Sequence, residues 1–291
     1  MTGVLWAVAS GIGFGLFQTL NGRAVRQVDD PYLSTFFQLA VAAVVLLAVC
    51  AATEDLSLLD HASAWAFIAF ALAGALHFFG GWTLLNFSQT RIGAARTSPL
   101  LTTTPFFAIA LAALTLGEVP TGLELVAIAI MVAGAWVISA PGDLPALRWQ
   151  DSVFAFGTAF VWALSPVFTL EGLDELDSPL IGVAIGMLVS LCAYGVLVSV
   201  RMRRGQSGFS RAGVPLKLLA GLVVALATWG RWEALDLETV GVVLALNLIS
   251  VPLVLVLAPV VVGGHLERVS RHVWVGSALV VAGSIALIAL G

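Results

Sequence analysis

Read for polarity alone, the chain is a series of long apolar runs separated by short polar breaks. Ten runs reach the length a helix needs to cross a bilayer, about 20 residues for a hydrocarbon core of about 30 Å. They occupy 3–22, 32–52, 64–86, 93–116, 122–140, 152–170, 179–200, 215–235, 239–262 and 273–290. Most of the connections between them are marked by Gly, Pro or charge. Helices are required here, because unpaired backbone groups cannot face lipid. The ten-residue alternation of a transmembrane barrel does not occur. The pattern therefore predicts an all-α polytopic membrane protein with ten transmembrane helices, its first span uncleaved.

The runs fall into two sets of five that echo each other. At an offset of 148, Phe14 meets Trp162, Pro31 meets Pro179 and Gly93 meets Gly241; at 149, Glu118 meets Glu267 and Gly134 meets Gly283. Pro105 and Pro252 correspond within a residue or two. The expected units are residues 1–141 and 150–291. An odd number of spans per unit turns the second copy upside down in the membrane, so the two repeats are expected to be inverted. Inverted repeats about a midplane cavity are an architecture of secondary transporters.

Composition agrees with a lipid solvent. Of 291 residues, 60% are hydrophobic and only 10% charged, and mean hydropathy is +1.04; soluble chains average about 25% charged. The net charge of −4 matters less than its distribution. Loops after odd-numbered spans hold twelve of the thirteen basic residues, and loops after even-numbered spans hold Arg231 alone. The positive-inside rule puts the odd loops in the cytoplasm and both termini outside. The run R-M-R-R-G with Arg211 and Lys217 reads as an anchor to anionic lipid, not as a nucleic-acid patch.

Polar groups are costly in lipid, so polar stripes should point inward. In the first span Ser10, Phe14 and Gln18 share a face, and in the sixth Thr158, Trp162, Ser165 and Thr169 form the matching one. The hydroxyls have an alternative use in bonding their own helix backbone. His77, mid-span in the third run, is a candidate proton carrier or substrate-bonding group; alternatively it is a neutral imidazole bonded to a neighbouring helix. Trp229, Arg231, Trp232 and Glu233 form the most unusual local cluster. Arg231 could hold a carboxylate. The sequence slightly favours the other reading, an interfacial aromatic belt with a snorkelling Arg. Pro105 with Thr102–Thr104, and Pro252 with Asn247 and Ser250, mark matched breaks that could act as hinges. Glu118 and Glu267 are expected to cap the fifth and tenth spans. Gly276 and Gly283 could pack within the chain or between two copies. No catalytic, cofactor or metal motif is visible, and the two cysteines permit no framework.

Several segments together resemble the EamA family of the drug/metabolite transporter superfamily. They are N-F-S-Q-T-R-I-G-A-A-R-T-S-P-L-L-T-T-T-P, L-G-E-V-P-T-G-L-E and A-G-A-W-V-I-S in the first half, then A-L-D-L-E-T-V-G-V-V, I-S-V-P-L, G-G-H-L-E and V-A-G-S-I-A-L in the second. The resemblance implies a ten-helix basket with its cavity lined by the first, third and fourth helices of each half, the fifth and tenth serving as scaffold. It also implies export or exchange of small metabolites such as amino acids. Two features depart from the pattern: the loop after the second span is acidic, and no acid lies in the first span to serve as a proton carrier. On this reading the protein is an exporter or exchanger in a prokaryotic inner membrane, a monomer or homodimer. It takes a small-molecule substrate, with a proton as candidate coupling ion and lipid as its surroundings. The rival readings are a lipid-carrier flippase and a membrane-embedded enzyme. The expected lining is Phe14, Gln18, His77, Trp162, Ser165 and Asn247, with Trp229 and Arg231 at one mouth.

Overall fold

The computed structural model describes residues 2–28, 30–116, 121–139, 148–205, 211–264 and 267–290. Among them there are helices and turns but no strand. Apart from a single turn, Leu58–His61, and a π-helical stretch, Pro259–Gly263, the helices are α1 (Thr2–Val25), α2 (Pro31–Thr53), α3 (Ala64–Ile92), α4 (Ala94–Leu101), α5 (Thr104–Leu116), α6 (Gly122–Ser139), α7 (Trp149–Glu175), α8 (Pro179–Arg203), α9 (Val214–Leu237), α10 (Val240–Asn247), α11 (Ser250–Ala258) and α12 (Arg271–Leu290).

Among the described residues, eight helical segments are long and apolar enough to cross a membrane. The two predicted spans outside that set differ for visible reasons. The fourth is interrupted at Thr102–Thr103, between α4 and α5, and the fifth survives as a shorter apolar helix, Gly122–Ile138. The ninth is interrupted in the same way at Leu248–Ile249, yet remains apolar enough over Val242–Gly263. Leu5, Val44, Val196 and Val260 are all exposed, which suits lipid contact and not water.

Lipid gives helices little hydrophobic reason to associate, so close packing of small residues must hold them. Gly13 faces Ala227 where α1 meets α9, and Gly74 lies against Gly186 where α3 crosses α8. A Cβ on Gly221 would come within 2.6 Å of the Gln38 carbonyl, where α9 meets α2. In α6 and α12, Gly134 packs on Gly276 and Gly283 on Met131. The latter stripe is therefore used inside the chain, which resolves the choice left open by the sequence.

Two expectations about charged groups are corrected. Glu267 does not cap the tenth span. Its carboxylate accepts from the Ala94 and Ala95 N–H groups at 2.9 and 3.3 Å, capping α4. Arg26 completes the site, donating to Glu267 at 3.0 Å. Gly93 takes φ +81° there, and any side chain at that position would strike the carboxylate. Glu118 lies outside the described residues. Lys217, expected to reach lipid, is fully buried instead, because Gly213 and Gly221 draw the start of α9 onto α1 and α2.

Candidate functional site

A cavity of about 590 Å³, including its open mouth, lies where α1, α4, α5, α7, α9 and α10 converge. Phe14 and Gln18 line it from α1, Trp162 from α7, Arg231 from α9 and Asn247 from α10. Ser98, Thr102, Thr104, Pro105 and Ser250 add polar and backbone surface from the interrupted helices.

The interruptions follow from local sequence. Pro105 lacks an N–H and so cannot sustain the ladder into the preceding turn. Thr102 and Thr103 N–H groups bond back three residues, to the Pro99 and Leu100 carbonyls. The hydroxyls of Thr102, Thr103 and Thr104 donate to the carbonyls of Pro99, Leu100 and Leu101 at 2.7, 2.8 and 2.7 Å. Leu248 and Ile249 N–H groups bond back to Ala245 and Leu246 in the same manner. Irregular backbone at membrane depth is tolerated where it is buried in protein or lines a cavity, and both breaks meet that condition.

Each polar group on the wall has its own standing. The Ser10 hydroxyl donates to Asn247 Oδ1 at 3.2 Å, and Asn247 Nδ2 donates to the Val243 carbonyl at 2.7 Å. Gln18 is 4% exposed, and its Oε1 has no partner among the described residues. Arg231 is 7% exposed and takes part in none of the three ion pairs among the described residues. A buried guanidinium facing a cavity without a carboxylate beside it is costly and can be compensated by an anion entering the cavity. The reading of Arg231 as a snorkelling interfacial residue is thus overturned by its burial.

Other predicted residues sit off the wall. His77 lies behind Trp162, the two rings stacked at 5.2 Å and 14°. The Trp162 Nε1 donates to the His77 carbonyl at 3.3 Å, within a π-helical stretch, Ala75–Gly81. The wider turn of a π-helix often marks functional sites. His77 Nε2 has no partner among the described residues. Ser165 donates to the Ala73 carbonyl at 3.3 Å and ties α7 to α3. Thr158 and Thr169 bond their own helix, to Phe154 and Ser165. Trp229 packs tilted against Trp6, ring centroids 5.6 Å apart, and donates to Glu233 at 2.7 Å, away from the cavity. Pro252 is exposed, unlike buried Pro105.

Ser98 is outside the expected lining, whereas Thr102, Thr104 and Ser250 are hydroxyls that the matched prolines mark as able to line a cavity. For Ser98 the neighbouring proline was the available signal. A fuller omission is Asn21, Asn86 and Gln89, three buried carboxamides near one another and near Lys217. Their cost in lipid was legible, since each lies in or beside an apolar run.

A solved structure titled "Crystal structure of protein" superposes with a TM-score of 0.60 at 16% identity, covering 98% of this chain and 96% of that one. At that identity the likeness establishes the fold alone. No curated protein matches the chain. Residues 1–140 match the EamA-like transporter family. The apolar helices and this family match together support an integral membrane protein. The first 140 of the 291 residues are thus similar to the EamA-like transporter family, part of the drug/metabolite transporter superfamily.

Proposed function

We propose that the protein is a secondary active transporter, an exporter or exchanger of small metabolites such as amino acids, working by alternating access at the cavity. The observation that carries this reading is Arg231, a buried cation on the cavity wall with no carboxylate paired to it. A substrate carboxylate suits that guanidinium, while Phe14 and Trp162 offer apolar surface to the rest of the molecule. Gln18 and Asn247 provide hydrogen-bonding edges.

Helix contacts support two related halves. Exchanging α1–α6 with α7–α12 in order turns the α1–α9 contact into α7–α3, α2–α9 into α8–α3, and α1–α11 into α7–α5; all of these contacts occur. The α2–α8 and α6–α12 pairs map onto themselves. Two inverted five-helix repeats, residues 1–141 and 150–291, account for this reciprocity. The rocking of such halves would expose the cavity to each side in turn. Interactions at the helix ends support the sidedness. Arg26 with Glu267, Arg201 with Asp30 and Arg91 with Asp151 join odd loops or their flanks. Ser178 with Glu54 and Trp65 with Glu171 join even ones. With the basic loops inside, both termini face outward from a prokaryotic cytoplasmic membrane.

The test is counterflow in proteoliposomes with a panel of radiolabelled amino acids. Exchange of at least one member, lost in Arg231→Gln, is expected. Stabilisation of the solubilised protein by lipid-carrier phosphates, with no amino acid exchanged, would replace this reading with a flippase.

A further inference from the structure

α9 buries a second cation. Lys217 is the only lysine in the chain and is 0% exposed. Its Nζ donates to Asn21 Oδ1 and, at 2.9 Å, to Asn86 Oδ1. Asn21 Nδ2 donates to Asn86 Oδ1 at 3.0 Å and to Gln89 Oε1 at 2.7 Å. Asn86 Nδ2 donates to Thr35 Oγ1 at 2.6 Å and to the Trp82 carbonyl at 3.0 Å. Gln89 Nε2 donates to the Gln18 carbonyl at 3.2 Å. None of these partners carries charge.

His77 of α3 stacks on Trp162, and several other charged and titratable groups of the packed helices are engaged elsewhere. Arg23 of α1 donates to the Val261 carbonyl, and Arg26, just past its end, to Glu267. Asp30, which caps α2, pairs with Arg201 of α8, whose guanidinium lies over Tyr32. Tyr194 of α8 bonds Thr83 and the Phe79 carbonyl, and Arg91 of α3 pairs with Asp151 of α7.

A cation meant only to be held would be best served by a carboxylate, because an uncompensated buried charge is strongly unfavourable. Carboxamides offer something else: each has an acceptor edge and a donor edge. Toward an ammonium, Asn21 and Asn86 present oxygens, as they do here. A neutral amine keeps two N–H groups, enough for both oxygens, so the carboxamides need not turn over and their bonds to Gln89 and Trp82 are kept. The same cage therefore serves both protonation states. It also reaches the cavity. Asn21 is bonded to Gln89, which holds the backbone of Gln18, and the Gln18 side chain lines the cavity.

We infer that Lys217 is the proton-binding group that couples this transporter to a proton gradient. Nζ takes a proton from water on one side of the membrane and releases it to water on the other, so one positive charge moves per cycle. The inference rests on the transport reading above.

Two measurements test it. In protein labelled at lysine with ¹³C, Lys217 gives the one lysine side-chain resonance, readable without mutation. It should change protonation state over the pH range in which the uptake rate changes. An ammonium that persists unaltered across that range overturns the inference. In proteoliposomes, Lys217→Gln should keep counterflow of radiolabelled amino acids within about twofold, yet lose about tenfold or more of the accumulation driven by an imposed proton gradient. Unchanged accumulation overturns the inference, and so does wild-type uptake indifferent to the gradient, though wild-type counterflow would leave the transport reading intact. No wild-type counterflow of any panel member sinks both. If Lys217→Gln does not fold, the resonance of the unaltered chain decides.

Discussion

Arg231 and Lys217 lie on one helix, 14 residues and so about 21 Å apart, and both are buried. Their surroundings are opposite. Lys217 is enclosed by carboxamides that take up its hydrogen bonds, whereas Arg231 looks into open space beside two aromatic rings. Burial alone therefore says little about what a cation does. The difference lies in whether the protein supplies the partner. A guanidinium left without one asks for a ligand that brings an anion. An amine given neutral partners asks only for a proton.

That contrast can be broken by experiment, most sharply at Arg231. Arg231→Gln should raise the half-saturating concentration of a carboxylate substrate about 100-fold, the loss expected for one partner of a desolvated charge pair. Arg231→Lys should recover only part, since an ammonium cannot make the bidentate contact. Substrate-concentration curves in proteoliposomes would show this, and an unchanged half-saturation would remove Arg231 from the site. Asn86→Asp attacks the other side of the comparison by giving Lys217 a fixed counter-charge. Gradient-driven accumulation should fall about tenfold while substrate affinity holds, since an opposite charge at that distance favours the ammonium.

Trp162→Ala removes both a cavity wall and the surface on which His77 stacks. Its transport rate should drop about tenfold, with Trp162→Phe retaining most of it, because the stacking contribution is about 0.5–1.5 kcal/mol. Glu267→Gln weakens the α4 cap and its contact with Arg26. A stability loss of about 1–2 kcal/mol is expected, read as a lower melting midpoint in detergent with substrate affinity unaltered. The smallest effect belongs to the prolines. Pro105→Ala should slow transport about threefold, and exposed Pro252→Ala less, with folding yield little changed in either. Equal rates in both variants and wild type would end the hinge idea.

Much of this was legible in the sequence because lipid is a simple solvent. Apolar runs gave the spans, and polar residues inside them had to face protein, which places Phe14, Gln18, Trp162 and Asn247 on one cavity wall. Arg231 was visible but ambiguous, since a tryptophan-flanked Arg near a span end looks the same whether it snorkels or is buried. Lys217 was misread for a related reason. Its position beside Arg211 suggests an interface, and only the close approach at Gly213 and Gly221 encloses it. Glu267 shows a further limit. The helix whose N-terminus it serves is distant in sequence, and no local pattern names that partner.

The seam between α6 and α12 carries one more consequence. Its glycines interlock, Gly134 with Gly276 and Gly283 with Met131, so backbone rests on backbone or nearly so. Surfaces meshed that closely resist sliding but tolerate a small change in crossing angle. If residues 2–139 and 148–290 swing against each other during a cycle, this outer seam is the post about which they turn, and the cavity is the gap that opens and shuts as they do.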